Sequence, residues 1–79
     1  MSKTFNIDSF SDRKKFEIKL QIALLKNTLK IRENSNDPSK YDEYINERIE
    51  KLKELLGTTS RFTIKEDDKI LYSIDNDKI

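Results

Sequence analysis

The sequence predicts an α+β fold, in which an antiparallel hairpin of two long helices is followed by a C-terminal β-hairpin, with a short N-terminal strand before the first helix. Three observations support this prediction. Residues 12–32 and 38–56 have helical spacing of apolar residues and are joined by a short polar loop. Residues 61–74 contain two β-prone runs around a polar turn. A chain of 79 residues has the length of a single domain, residues 1–79.

Residues 1–10 precede the first helix as an N-terminal arm. Phe5 and Ile7 stand between polar residues, a pattern that predicts an extended segment or a strand. Ser9 and Ser11 are candidate N-caps for the helix that follows, because their hydroxyls can accept free backbone N–H groups. A two-stranded hairpin is marginal in water, so the C-terminal hairpin must lie on the helices or gain a third strand, which the arm could supply in the same chain or from a neighbouring one.

Residues 12–32 are predicted to form helix one. Residues 16–22 alternate strictly between apolar and polar, as in a strand. We favour the helix because about twenty residues pass without Gly or Pro and because Ala23, Leu24 and Leu25 interrupt the alternation.

Helix one carries two apolar stripes on opposite sides when its residues are placed at about 100° intervals. One stripe consists of Phe16, Leu20, Ala23, Leu24 and Ile31, and the other of Ile18, Ile22, Leu25 and Leu29. A surface helix needs a single apolar stripe, so a helix with two must be covered from both sides. A chain this small has little material for that, which indicates a partner.

Helix two is predicted over residues 38–56. Asp37 before Pro38 is a typical helix start, and Gly57 is a typical left-handed residue after a helix end. Its apolar stripe consists of Tyr41, Tyr44, Ile45, Ile49, Leu52, Leu55 and Leu56. The edge formed by Ile45, Ile49, Leu52 and Leu56 has the same spacing as the second stripe of helix one, so we expect these two edges to pack together.

The first stripe of helix one then needs another cover. The C-terminal hairpin could supply it through Phe62, Ile64, Ile70 and Tyr72; otherwise the cover is a second copy of the chain, first as a dimer, or a foreign protein. Tyrosines near the loop would extend such an interface, since they combine a large rigid surface with a polar group. The predicted protein interface comprises Phe16, Leu20, Leu24, Ile31, Tyr41 and Tyr44.

A row of lysines lies between the two stripes of helix one. It consists of Lys15, Lys19, Lys26 and Lys30, about 22 Å from end to end at a rise of about 1.5 Å per residue. Such a row could follow a phosphate backbone, so these residues are candidate nucleic-acid contacts. It contains no Arg and no interleaved aromatic residue, and the net charge of the chain is only +1.

The composition argues against catalysis. The chain has no Cys and no His, so thiolate and imidazole metal sites and His-dependent nucleophilic triads are excluded. Asp67 and Asp68 in the turn, and Asp75 to Asp77 in the predicted tail, lack the spacing of a calcium loop. We therefore predict no enzyme activity, no catalytic or metal site and no cofactor. The absence of a long apolar run predicts no membrane partner and a cytoplasmic location.

These observations predict a small regulator or inhibitor that acts by occupying a surface of a host protein. Lys, Ile and Asn supply 28 of the 79 residues, a bias typical of AT-rich genomes such as those of many phages and mobile elements. Two alternatives remain open: a dimeric nucleic-acid-binding regulator that uses the lysine row, and an oligomer that sequesters a small ligand or nucleotide.

Overall fold

The computed structural model describes residues 3–74. Strand β1 (Lys3–Asn6) leads through a 3₁₀ turn (Ile7–Ser9) into helix α1 (Asp12–Glu33). A second 3₁₀ turn (Pro38–Tyr41) precedes helix α2 (Asp42–Leu56), and strands β2 (Phe62–Glu66) and β3 (Lys69–Ser73) complete the fold. The predicted α+β arrangement of two helices, a C-terminal hairpin and a short N-terminal strand is confirmed. The predicted tail, residues 75–79, lies outside the described residues.

The three strands form one sheet in the order β1-β2-β3. β1 runs parallel to β2, with Phe5 opposite Ile64, and β2 runs antiparallel to β3, with Ile64 opposite Tyr72. Parallel neighbours need a long crossover connection, and the helical hairpin provides it. The third strand of the sheet thus comes from the N-terminal arm of the same chain.

The core lies between the sheet and the helical hairpin. The buried apolar residues come from both helices, from β2 and β3, and from the first 3₁₀ turn; they are Ile7, Ile18, Ile22, Leu25, Ile45, Leu52, Leu56, Phe62, Ile64 and Tyr72. The predicted pairing of the two helix edges is confirmed: three residues of each edge are buried, while Leu29 and Ile49 pack partly buried against them.

Helix α1 begins and ends close to the predicted positions. Ser11 is its N-cap, and the Ser11 hydroxyl accepts the backbone N–H of Lys14 at 3.3 Å. The alternating residues 16–22 are helical. The alternation covers only seven residues, whereas the helical spacing continues over a longer segment and allows the apolar edge that faces α2 to be buried.

Helix α2 begins later than predicted. Pro38 opens a 3₁₀ turn rather than the α-helix, and the Asp37 side chain caps no backbone N–H there. Instead the Ser39 hydroxyl donates to Asp37 Oδ1 at 2.8 Å. The predicted C-terminus is confirmed, because Gly57 has φ of 73° and its N–H donates to the carbonyl of Glu54.

A β-bulge in the hairpin decides which side chains reach the core. Ile64 pairs with Tyr72 and Lys65 with Ile70, so Leu71 is an extra residue in β3. Without the bulge, Ile70 and Tyr72 would share one face of the strand. The bulge places Tyr72 in the core and leaves Ile70 54% exposed.

A polar contact joins the two helices beside the core. Gln21 is buried on α1, and its Oε1 accepts a hydrogen bond from Nη1 of Arg48 on α2 at 3.0 Å. The Arg48 guanidinium also lies 5.0 Å from the ring centroid of Tyr44. A buried polar group is costly without its partner, so this contact favours one axial alignment of the helices.

Candidate protein-binding surface

The first apolar stripe of α1 lies on the side of the helix opposite the core. We call this surface the outer face; it consists of Phe16, Leu20, Ala23, Leu24 and Ile31. Phe16 is 66% exposed, Leu20 41% and Ile31 44%, while Leu24 is half-buried. Large apolar side chains exposed together on one helix face are typical of surfaces that bind other proteins.

The sheet does not cover the outer face. Phe62, Ile64 and Tyr72, which were candidates for covering it, are buried in the core against the opposite stripe of α1. Ile70, the fourth candidate, is exposed because of the bulge. Residues 3–74 therefore leave Phe16, Leu20 and Ile31 accessible to a partner.

The three tyrosines have different environments. Tyr72 is buried in the core, with its ring centroid 6.3 Å from that of Phe62. Tyr41 is half-buried against the core, with the Lys40 ammonium 5.2 Å from its ring centroid. Tyr44 is 38% exposed, so of the two predicted interface tyrosines it offers the larger accessible surface.

The lysine row is divided into two halves. Lys15 Nζ lies 3.0 Å from Asp8 Oδ1, and Lys19 Nζ lies 2.8 Å from Glu66 Oε2. Asp8 Oδ2 also accepts the backbone N–H of Asp67 at 3.1 Å. These contacts connect the first 3₁₀ turn, α1 and the β2–β3 turn. Lys26 and Lys30 are exposed, and no ion pair within residues 3–74 involves either of them.

The electrostatics of this polar cluster (Asp8, Lys15, Lys19 and Glu66) stabilise the charged forms. The hydrogen bond from Lys15 lowers the pKa of Asp8, and the hydrogen bond from Lys19 lowers the pKa of Glu66. The hydrogen bond to Asp8 raises the pKa of Lys15. Two of the four lysines proposed for nucleic acid are therefore already paired with carboxylates of the same chain.

The cluster predicts acid sensitivity. Carboxylates with a lowered pKa in the folded state stabilise the fold above their unfolded values of about 4, and this contribution is lost as the pH falls through the folded values. We expect the thermal midpoint to fall below about pH 4. The double variant Asp8→Asn, Glu66→Gln is expected to lose part of this pH dependence, measured by circular dichroism.

The control for this prediction is Glu43→Gln. Glu43 is exposed on α2 and has no ion pair within the described part of the chain. Its replacement should leave the slope of midpoint against pH unchanged. Equal slopes for the wild type and the Asp8, Glu66 double variant would show that the cluster contributes nothing to acid stability.

Two further site classes, a metal site and a membrane-spanning helix, have no support in the described residues. Among residues 3–74, no group of three or more His, Cys, Asp or Glu side chains could hold a metal ion. Nor does any helix in that range combine the length and the apolar character needed to cross a bilayer. Comparisons of the chain with protein-family models, with curated proteins and with solved structures found no match.

In addition to the outer face, the structure has two features that were not identified from the sequence. One is the Gln21–Arg48 contact; Gln21 stands three residues after Ile18 and four before Leu25, on the edge that packs against α2, and that spacing was its signal. The other is the position of Lys26 and Lys30 beside β3. No sequence pattern shows which strand lies next to which side of a helix.

Proposed function

We propose that the chain is a small non-enzymatic protein-binding regulator that binds through the outer face of α1. The observation that supports this most is the exposure of Phe16, Leu20 and Ile31 on the side of α1 opposite the sheet. Burying side chains of this size contributes up to about 1.5–3 kcal/mol each, and a few such residues commonly dominate the binding energy of a protein–protein interface.

In the proposed mode of action, the outer face occupies an apolar surface of a host protein. The half-buried Leu24 belongs to the same face, and the exposed Tyr44 on α2 is a second interface candidate. When no host protein is present, two copies are expected to cover each other through the same face. Self-association is therefore the first measurable property of the proposed binding surface.

The first test is the oligomeric state of the variant Phe16→Glu, Leu20→Glu. Charged side chains in an apolar contact are costly to desolvate, so we expect self-association to weaken by on the order of a hundredfold. Sedimentation equilibrium of the wild type and the variant measures this effect. Because both side chains are exposed in the protomer, the variant should keep its circular dichroism spectrum.

The control is Ile70→Glu, which introduces one glutamate at an exposed isoleucine of β3, outside the outer face. This control should associate as the wild type does. A wild type that stays monomeric at high concentration, together with no binding to any host protein that depends on Phe16 and Leu20, would contradict the proposal.

Nucleic-acid binding along the lysine row is less well supported. Lys15 and Lys19 are held by Asp8 and Glu66, which leaves the row half neutralised. A phosphate backbone would have to displace these carboxylates or use Lys26 and Lys30 alone. Electrostatic binding depends on the number of phosphates that are neutralised, so a divided row weakens it.

A further inference from the structure

β3 is an edge strand whose free side faces a groove. The order β1-β2-β3 leaves that side without a neighbouring strand among residues 3–74. The C-terminal half of α1 forms the opposite wall, and the open groove between them has a volume of about 400 Å³. An edge strand presents backbone N–H and C=O groups that an added strand can pair with.

The lining of the groove combines apolar and basic side chains. Leu29 and Leu71 are half-buried along it, and Ile70 is exposed at its side. Lys26 and Lys30 stand on the α1 wall, exposed and without an ion pair in the described range. Glu33 is the single acidic residue among the lining residues, so the groove has a net positive charge.

We propose that this groove binds an extended acidic segment of another protein, which adds a fourth strand to the sheet beside β3. The backbone of the segment would pair with the free edge, while its carboxylates would contact Lys26 and Lys30. Its apolar side chains would pack on Leu29 and Leu71. Backbone pairing provides affinity in this mode of recognition, and the side chains on the groove walls provide specificity.

The charges favour this occupant over a second copy of the chain. In a pairing of β3 with β3, each copy would bring its own Lys26 and Lys30 towards the shared edge, and like charges there repel. Lys69 at the start of β3 is exposed and adds to this repulsion. Lysines at an edge strand are a recognised way of preventing self-pairing, and they leave the edge open to an acidic strand.

The chemistry of the edge favours a peptide over a nucleic acid. A strand edge alternates hydrogen-bond donors and acceptors along its length. A peptide offers the complementary alternation, whereas a phosphate backbone offers acceptors only and leaves the carbonyls of β3 unmatched. The two lysines alone are few for counterion-driven binding.

The test measures binding of a fluorescent peptide in which Glu alternates with Val, by anisotropy at low salt. Lys26→Glu, Lys30→Glu is expected to weaken binding roughly tenfold or more, since two favourable charge contacts become repulsive. The control Lys51→Glu changes an exposed lysine of α2 and should bind like the wild type. No binding to the wild type, or equal loss in the control, would overturn the proposal.

A second measurement separates strand addition from simple charge attraction. The same peptide with alternate backbone amides N-methylated is expected to lose its binding, because it cannot donate hydrogen bonds to β3. If the methylated peptide binds as well as the parent, strand addition is wrong. A labelled single-stranded oligonucleotide that binds more tightly than the peptide and requires Lys26 and Lys30 would likewise overturn the proposal. Circular dichroism confirms that each variant is folded.

Discussion

Phe62→Ala is expected to lower the free energy of unfolding by about 3–5 kcal/mol, the range for removing a large aromatic side chain from a core. Phe62 is fully buried at the start of β2, where it packs near Tyr72 between the sheet and the helices. A chain of 79 residues has a total stability of only about 4–12 kcal/mol. The variant is therefore expected to be largely unfolded or to unfold at markedly lower denaturant concentration.

The comparison for this prediction is Phe16→Ala, which removes the same atoms from a side chain that is 66% exposed. Measured by urea denaturation at a concentration where the protein is monomeric, Phe16→Ala should change stability by less than about 0.5 kcal/mol. A similar loss in both variants would mean that Phe16 is covered within the protomer, which would contradict the accessible outer face. The pair thus tests the core and the proposed binding surface together.

The fold could largely be predicted from the sequence because its main elements are set by local patterns. Ser11 begins α1 through a backbone hydrogen bond, and Gly57 ends α2 through its left-handed conformation; both effects act over a few residues. The pairing of the two helix edges was also predictable, since equal spacing on two neighbouring helices leaves few other ways to bury them.

The features that were missed depend on contacts between distant parts of the chain. The 3₁₀ turn at Pro38–Tyr41 is an exception, since it is local. The bulge at Leu71 arises where β3 pairs with β2. The bulge in turn decides that Ile70 is exposed, which composition and alternation could not show. Likewise the Lys19–Glu66 pair joins positions that are far apart in the sequence and meet only in the tertiary structure.

The two candidate surfaces also differ in whether a local sequence pattern could predict them. The apolar outer face followed from residue spacing alone, because a helix with two opposite stripes exposes one of them unless the chain can cover both. The groove beside β3 did not, because its walls come from α1 and from the last strand. A surface on a single element can be predicted from one periodic pattern, whereas a groove between two elements requires the tertiary arrangement.

Ile7→Ala is expected to destabilise the protein by about 2–5 kcal/mol, although Ile7 lies in a short turn near the N-terminus. The turn directs Ile7 into the core, where its side chain is fully buried. Asn6 holds the turn in place, because its Oδ1 accepts the N–H of Asp8 at 2.9 Å and its carbonyl accepts the Ser9 hydroxyl at 2.8 Å.

The matched substitution is Ile70→Ala, at an isoleucine that is 54% exposed, and it should cost less than about 1 kcal/mol. Hydrogen exchange should also show faster opening of β1 in Ile7→Ala, since the buried side chain anchors the strand that pairs with β2. If Ile7→Ala is as stable as Ile70→Ala, the N-terminal arm is not part of the core, and β1 is not a stable strand of the sheet. A large loss of stability would instead show that the three-residue turn anchors β1, the strand that runs parallel to β2.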